Sequence, residues 1–300
     1  MAEFPLIENT QFEPDEEYVP QPEPEPQPPA WMDGSLRIGI HTSIAGSYLN
    51  ALESAKKLGA NALQIFSSSP RMWQGAAVRI PASDAKAFRA RREELGLGPL
   101  VIHANYLVNL AATLPMLWTR SIQAFHEELV RGTVLGADFL VVHPGARGEV
   151  PMEKAIATVI ESVKQAAKRV PLGKMRILIE NTAGMGTAVG SRLEDVAAIL
   201  HGLNRGHAAG RSEDRPLNVG ACLDTAHLFA AGYDIRSVGG LEQTIEAIDR
   251  TIGLENVPVF HVNDSKIALG GRVDRHQHIG QGKIGAEAFA RILKHPRLGT

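Results

Sequence analysis

The 300-residue chain is expected to adopt an α/β fold, a (β/α)8 barrel. Two observations predict it. Short apolar runs rich in Val, Ile and Leu alternate with longer amphipathic segments, and after the first unit these runs recur about every 37 to 42 residues. Apolar runs without alternation are typical of strands that are covered on both faces, as in a parallel sheet. The repeated pairing of such a strand with a helix therefore indicates a parallel α/β fold.

Seven strand–helix units follow one another along the chain. The predicted strands begin near residues 36, 61, 99, 138, 175, 217 and 257, in the runs LRIGIH, NALQIF, LVIHA, DFLVVH, RILIE, NVGACLD and VPVFHV. Helix-like segments such as GSYLNALESAKKLG, SDAKAFRARREELG and MEKAIATVIESVKQAAKRV lie between them. Ser83 behind Pro81 is typical of a helix start, and Gly59 and Gly96 stand where left-handed C-terminal caps belong.

An eighth strand would be due near residue 300, beyond the helical segment GAEAFARILKHP. We therefore expect a TIM barrel that lacks its eighth strand at the C-terminus, since this fold takes about 250 residues. A doubly wound open sheet is the alternative, because repeated strand–helix units alone do not distinguish the two folds.

The first 35 residues predict a disordered, acidic, proline-rich tail, which leaves residues 36–300 for one barrel domain. Residues 1–36 hold eight prolines and nine of the 33 acidic residues, with no Lys or Arg. Proline at this density excludes helix and strand pairing. The rest of the chain has 31 basic and 24 acidic residues, which is compatible with a polyanionic partner. The tail is expected to be a linker, and competition with an anionic substrate for the basic barrel is the alternative.

Cysteine content and hydropathy indicate the compartment. Cys222 is the single cysteine, so the chain has no internal disulfide, which favours a reducing compartment. A metal site in such a chain would be built from nitrogen and oxygen ligands. No apolar run reaches the roughly 18 residues of a transmembrane helix. We expect a soluble, cytoplasmic, monomeric protein without a membrane partner.

Residues that can bind metal stand at the predicted strand ends, where parallel α/β folds collect their chemistry. Those that leave the runs or follow close behind are His41, His103, His143, Glu180, Asp224, His227 and His261. Asp274 and His276 follow on a glycine-rich segment, as alternate residues that an extended backbone projects to the same side. A lone histidine at such a place is more often structural, but a barrel brings all of these side chains to one mouth.

Neutral imidazoles and carboxylates are the ligands that suit Zn²⁺ when thiolates are absent. Two candidate sets are His103, His143 and Glu180, and His227, Asp274 and His276. His278 continues the alternation, and ligation and a backbone hydrogen bond both stay open for it. Eight ligands exceed what one zinc ion uses, so the residues predict a metal cluster in which Glu180 bridges. Because such clusters suit phosphoryl chemistry, the residues alone predict a metallophosphoesterase.

Long stretches around these residues resemble the endonuclease IV family of apurinic/apyrimidinic (AP) endonucleases of base-excision repair. The matching stretches are FSSSPRMW, VIHANYLVNLA, VVHPGA, IENTAGMG, LDTAHLFAAGYD, FHVNDSK and GGRVDRHQHIGQGKIG, between Arg37 and about residue 298. Members of that family are trinuclear zinc (β/α)8 barrels. The resemblance therefore implies three Zn²⁺ ions per chain.

The resemblance also implies a role for each candidate ligand. The first ion would be held by His103, His143 and Glu180. Glu180 would bridge to the second ion, whose further ligands would be Asp224 and His261. The third ion would be held by His227, Asp274 and His276.

The reaction implied by the resemblance takes place on double-stranded DNA that contains abasic sites. A metal-activated hydroxide hydrolyses the phosphodiester 5′ to the abasic site and leaves a 3′-hydroxyl and a 5′-deoxyribose phosphate. Arg71 and Tyr106 match positions that enter the DNA, where the abasic nucleotide is flipped out of the stack. Arg272 and Arg275, which flank Asp274, are expected to contact phosphates.

One family feature is missing from the sequence: a further Glu ligand at the end of strand eight. We expect the chain to be a fragment, and two or fewer zinc ions if the C-terminus is truly absent. Two alternatives remain open at this stage. One is a catalytically inactive binder of abasic DNA, and the other is a metal-dependent sugar isomerase or epimerase on a related barrel.

Overall fold

The computed structural model describes residues 36–73, 79–205 and 216–298, so the predicted tail, residues 1–35, lies outside the described ranges. Within those ranges seven strands form one parallel sheet in the order of the sequence. The strands are β1 (Gly39–His41), β2 (Ala62–Phe66), β3 (Leu100–His103), β4 (Phe139–Val142), β5 (Arg176–Glu180), β6 (Val219–Asp224) and β7 (Val259–His261). The predicted strand–helix order is confirmed.

Helices alternate with the strands and cover the outside of the sheet. They are α1 (Tyr48–Lys57), α2 (Ala82–Glu94), α3 (Pro115–Leu135), α4 (Met152–Ala167), α5 (Leu193–Asn204), α6 (Thr225–Ala231), α7 (Val238–Thr251) and α8 (Ala286–Lys294). The sequence pattern did not predict α6, a short helix that begins directly at the end of β6. No helix in the described part of the chain combines the length and apolar character needed to cross a membrane.

Local sequence explains where several helices begin and end. The Ser47 hydroxyl accepts a hydrogen bond from the Leu49 amide at the start of α1, with Oγ and N 3.1 Å apart. The first residue of α2 is Ala82, behind Pro81, one position before the predicted start. Gly59 and Gly96 have left-handed φ angles of 78° and 64° just after α1 and α2, as predicted.

The sheet is curled, because side chains from distant strands touch across its mouth. His261 on β7 is hydrogen-bonded to Gln64 on β2, with Nε2 and Oε1 2.7 Å apart. These strands lie five places apart in the sheet order, which in a flat sheet would separate them by about 24 Å. The contact therefore favours the barrel over the doubly wound sheet. The eighth strand, expected near residue 300, falls beyond the described residues.

The two faces of the curled sheet bury different sets of side chains. Residues on the outer face, such as Ile102, Leu140 and Ile177, pack with the helices in the main core, which includes Phe125 and Leu129 of α3. The inner face holds a smaller apolar cluster formed by Val101, Val141, Leu178 and Cys222. This inner cluster fills the lumen below the strand ends and gives the site a dry, packed floor.

Beyond β7 the chain forms a small antiparallel hairpin, residues 264–277, in which β8 (Asp264–Ser265) pairs with β9 (His276–Gln277). The hairpin packs on α6. There the amides of Gly270 and Arg272 donate to the carbonyl oxygens of Phe229 and Ala230, at 3.0 and 2.9 Å. The glycine-rich segment of the sequence thus lies against the helix that follows Asp224.

Candidate metal centre

Strand register places the predicted ligands in one layer at the mouth of the barrel. Side chains two residues apart on a strand share a face, so each apolar residue of the lumen is followed by a polar residue that faces the same way. These pairs are Val101 and His103, Val141 and His143, Leu178 and Glu180, Cys222 and Asp224, and Val259 and His261. The ligand layer therefore stands directly on the apolar layer.

Glu180 is the centre of the first group of ligands. The residue is only 1% exposed, and three imidazoles converge on its carboxylate. Oε2 lies 3.2 Å from Nε2 of His103 and 3.3 Å from Nε2 of His143. Oε1 lies 2.9 Å from Nδ1 of His261. The two oxygens face different imidazoles, which is the arrangement that a bridging carboxylate needs.

Asp224, His227 and His276 form the second group, and their ligand atoms lie within 4.8 Å of one another. The Nε2 atoms of His227 and His276 are 3.3 Å apart. Both face the Asp274 carboxylate, at 3.3 and 3.1 Å. His227 also connects the two groups, because its Nδ1 lies 3.6 Å from Oε1 of Glu180.

Hydrogen bonds from the surrounding chain fix the orientation of these ligands. The main-chain carbonyl of Asn181 accepts from Nδ1 of His227 at 2.9 Å. Asp224 caps α6, since its Oδ1 accepts from the His227 amide at 3.0 Å, and its Oδ2 accepts from Nδ2 of Asn263 at 2.7 Å. Partners of this kind hold a metal ligand in one rotamer and tautomer.

The electrostatics of the centre favour bound cations. Burial would raise the pKa of Glu180, but the nearby His143 and His261 hold it well below its ordinary value. Burial lowers the pKa of His143 to about 4, so its ring is neutral at pH 7 and offers a lone pair. Burial would also lower the pKa of His227, but Asp224 and Asp274 outweigh this effect and raise it to about 9. Asp224 and Asp274, which stabilise the positive charge of protonated His227, would stabilise a divalent cation in the same way.

The donor chemistry of the centre fits zinc. Two groups of metal-binding side chains occur among the described residues, one formed by His103, Glu180 and His261 and the other by Asp224, His227 and His276. Neutral imidazole and carboxylate suit Zn²⁺. Cys222 lies below in the lumen, and burial raises the pKa of its thiol to about 11, so it stays protonated.

The structure brings all eight predicted ligands to one place. The sets His103, His143 and Glu180, and His227, Asp274 and His276, are each in contact. Asp224 lies with the second group and His261 with Glu180, whereas the resemblance implies that these two share an ion. His278 is exposed and belongs to neither group.

The predicted DNA contacts are exposed side chains around the mouth. Tyr106 is 57% exposed, and its ring packs beside His103 with centroids 5.6 Å apart. The Tyr106 amide donates to the Pro70 carbonyl at 3.1 Å, which places the loop that carries Arg71 beside the tyrosine. Arg272 and Arg275 are exposed on the hairpin. These basic and aromatic side chains form a rim on two sides of the ligand layer, one at Arg71 and Tyr106 and the other at the hairpin.

Sequence reasoning missed two residues of this region. Gln64 lies between two histidines, with its Oε1 2.7 Å from His261 and its Nε2 3.0 Å from His41. A glutamine inside the apolar run NALQIF is the signal that could have identified it. Asp264 was also missed, because its partners are backbone amides that no local pattern reveals.

Comparison with known proteins gives the family. A family model described as a xylose isomerase-like TIM barrel matches residues 52–299. The "Probable endonuclease 4" of Solibacter usitatus (strain Ellin6076) is 46% identical over 264 residues, which cover 88% of this chain and 87% of that protein. Endonuclease IV from Thermus thermophilus has a TM-score of 0.72 at 42% identity, covering 87% of this chain and 88% of that chain. This chain belongs to the endonuclease IV family.

The endonuclease IV family shares its fold with proteins of other function. A D-tagatose 3-epimerase-like protein has a TM-score of 0.59 at 18% identity, with 86% of each chain covered. At that identity the likeness shows the fold alone. The sugar isomerase or epimerase alternative is therefore not favoured, whereas the endonuclease IV relatives match in sequence as well as in fold.

Proposed function

We propose that this chain is a zinc-dependent AP endonuclease, which hydrolyses the phosphodiester on the 5′ side of an abasic site in double-stranded DNA. The convergence of three imidazoles on the buried Glu180, in a member of the endonuclease IV family, is the observation that most supports the proposal. Bound zinc would lower the pKa of a water molecule and neutralise the charge that develops on the leaving oxygen.

Each group of ligands has a place in this proposal. Glu180 would bridge two ions, because its Oε2 faces His103 and His143 while its Oε1 faces His261. A third ion would be held by His227, Asp274 and His276, and Asp224 lies near enough to serve this ion or the second. We infer three ions per chain from this division.

The remaining residues of the mouth would bind and orient the DNA. Hydrolysis joins the hydroxyl of water to phosphorus and breaks the bond to the upstream 3′ oxygen, which gains a proton and leaves as a 3′-hydroxyl. Arg272 and Arg275 would hold phosphates and so fix the scissile group over the ligands. Tyr106 and Arg71 would enter the duplex at the lesion. Flipping is least costly there, because no base has to be unstacked.

Cleavage of a labelled duplex oligonucleotide with one tetrahydrofuran abasic site tests the proposal. We expect a nick 5′ to the lesion and a product whose 3′ end a DNA polymerase extends. The same duplex without the lesion should stay intact. Treatment with 1,10-phenanthroline should stop the reaction, and added Zn²⁺ rather than Mg²⁺ should restore it.

Two outcomes would contradict the proposed reaction. Tight binding of the lesion without nicking by zinc-loaded protein would identify a non-catalytic binder of abasic DNA. Cleavage that persists after complete removal of zinc would exclude the metal-dependent mechanism.

A further inference from the structure

Asp264 is a buried carboxylate that belongs to neither ligand group. It lies three residues after His261, at the first position of the hairpin, and its side chain is fully buried. A buried charge of this kind is costly unless strong hydrogen bonds compensate it. Its partners therefore show what the residue does.

Five backbone amides donate to the Asp264 carboxylate. Oδ1 accepts from Ser265 and Ile284 at 2.8 and 2.9 Å, and Oδ2 accepts from Gly280, Gly282 and Gly285 at 3.0, 2.9 and 3.3 Å. Burial alone would raise the pKa of Asp264, but these amides outweigh it and hold the pKa below its ordinary value. Four of the five donors belong to residues 280–285, the segment that follows the hairpin.

The Asp264 carboxylate thus ties the first residue of the hairpin to the chain that leaves it. The other main-chain restraints on the hairpin are short-ranged. Strands β8 and β9 pair over only two residues each, the Lys266 amide donates to the Arg275 carbonyl at 2.9 Å, and two amide hydrogen bonds dock the hairpin on α6. Beside the carboxylate, the Lys283 amide donates to the Ser265 carbonyl at 2.7 Å. Two-stranded pairs of this length are marginal in water, so the clamp at the base carries much of the order of the hairpin.

The approach of the two segments is close enough to require a glycine. A Cβ atom placed on Gly282 would lie 2.3 Å from Oδ1 of Asp264, well inside van der Waals contact. A side chain at this position would therefore push residues 280–285 away from the carboxylate.

We propose that Asp264 is a positioning residue, whose clamp on residues 280–285 sets the hairpin so that Asp274 and His276 reach His227. The proposal rests on the proposed function, because it concerns the ion that these three residues would hold. The proposal distinguishes the ions by what positions their ligands. The Glu180 group stands at strand ends and does not depend on the hairpin, whereas the ion of Asp274, His276 and His227 does. Loss of the clamp should remove one ion and leave the others.

Metal analysis of purified, zinc-equilibrated protein tests the inference. In Asp264→Asn an amide NH₂ group replaces one acceptor and faces backbone donors, so we expect about one zinc fewer per chain than in the wild type. Gly282→Ala acts on the same clamp from the other side and should lose the same ion. This second variant keeps the test decisive if Asp264→Asn does not fold.

The matched control is Asp138→Asn at the opposite end of the barrel. Asp138 is also buried and accepts from a backbone amide, that of Leu100 at 2.9 Å, but it lies before β4 and pairs with Lys174. Its replacement should lower the Tm and leave the zinc content unchanged, which distinguishes positioning from a general loss of stability.

The outcomes separate this inference from the proposed function. A wild type that binds no zinc would overturn the zinc-dependent function and the inference with it. A wild type with its full zinc content, together with a folded Asp264→Asn or Gly282→Ala variant of equal zinc content, would overturn the inference alone.

Discussion

Two parts of the candidate metal centre are built in different ways. Three of the candidate strand ligands, His103, Glu180 and Asp224, stand at the ends of buried strands and are almost fully enclosed. The hairpin ligands, Asp274 and His276, have side chains that are 46% and 40% exposed. Sheet register fixes the first set, and a few backbone hydrogen bonds fix the second. The strand ligands are therefore preorganised, whereas the hairpin ligands depend on local restraints that a single substitution can remove.

Replacement of Glu180 should produce the largest effect, because it acts on the preorganised set. Glu180→Gln keeps the shape of the side chain and removes the charge that would bridge two ions. We expect the cleavage rate on abasic duplex to fall by about 10³-fold or more, with the fold intact. Initial rates and circular dichroism measure the two effects.

Glu161→Gln is the control for this change, since Glu161 is an exposed residue of α4 that contacts Gln165. It should cleave at the wild-type rate. Normal turnover by the Glu180→Gln variant would show that Glu180 does not bridge metal ions. The strand ligands would then have only a structural role.

The contact between the hairpin ligands and His227 should affect how the stability of the protein depends on pH once a chelator has removed the metal. The pKa of His227 is raised to about 9 in the folded chain, although burial opposes this, because Asp224 and Asp274 attract its proton. The resulting stabilisation is complete below the ordinary value near 6.5 and is lost as the pH rises from about 6.5 to 9. We expect the free energy of unfolding of chelator-treated protein to fall across this window by at most on the order of 3 kcal/mol, and its Tm to fall with it.

Asp274→Asn should make this fall smaller, since it removes one of the two carboxylates. Zinc-loaded protein should not show the fall, because a metal ion needs the deprotonated ring. An identical pH profile for chelated wild type and Asp274→Asn would contradict the assigned contact between the hairpin and His227.

Substitution of an arginine on the rim should give the smallest effect, a change in how DNA binding depends on salt concentration. Arg71→Ala should weaken the binding of abasic duplex more than that of intact duplex, because Arg71 would enter at the lesion, and should reduce the slope of log K against log salt for the abasic duplex by up to about 0.9. Lys57→Ala makes the same change of charge at the C-terminal end of α1, away from the mouth, and should leave the slope unchanged. Fluorescence anisotropy between about 50 and 200 mM salt measures both. Equal slopes in the wild type and in both variants would show that Arg71 does not contact the DNA.

The sequence predicted those features that depend on local pattern. The seven strands could be located because each is a short apolar run, and the side chains that meet at the mouth could be predicted because polar residues end those runs. Only the curl of the sheet brings His261 against Gln64, and no local pattern reports such a contact between residues so far apart along the chain.

Asp264 shows what such a pattern cannot predict. In the sequence it is one more polar residue after a strand, next to Asn263 and close to His261. Its role follows from amides of residues 280–285, and amides are the same for every residue type except proline. The short helix α6 was missed for a related reason, since Asp224 serves both as a ligand candidate and as the cap of that helix.

The alternation of aliphatic and polar side chains along the lumen links assembly to activity. A strand displaced by one position against its neighbour would turn its imidazole or carboxylate outward into the helices and present an aliphatic chain to the cavity instead. A misaligned barrel would therefore lack the candidate metal centre as well as a packed core. Correct strand register is a condition for both at once.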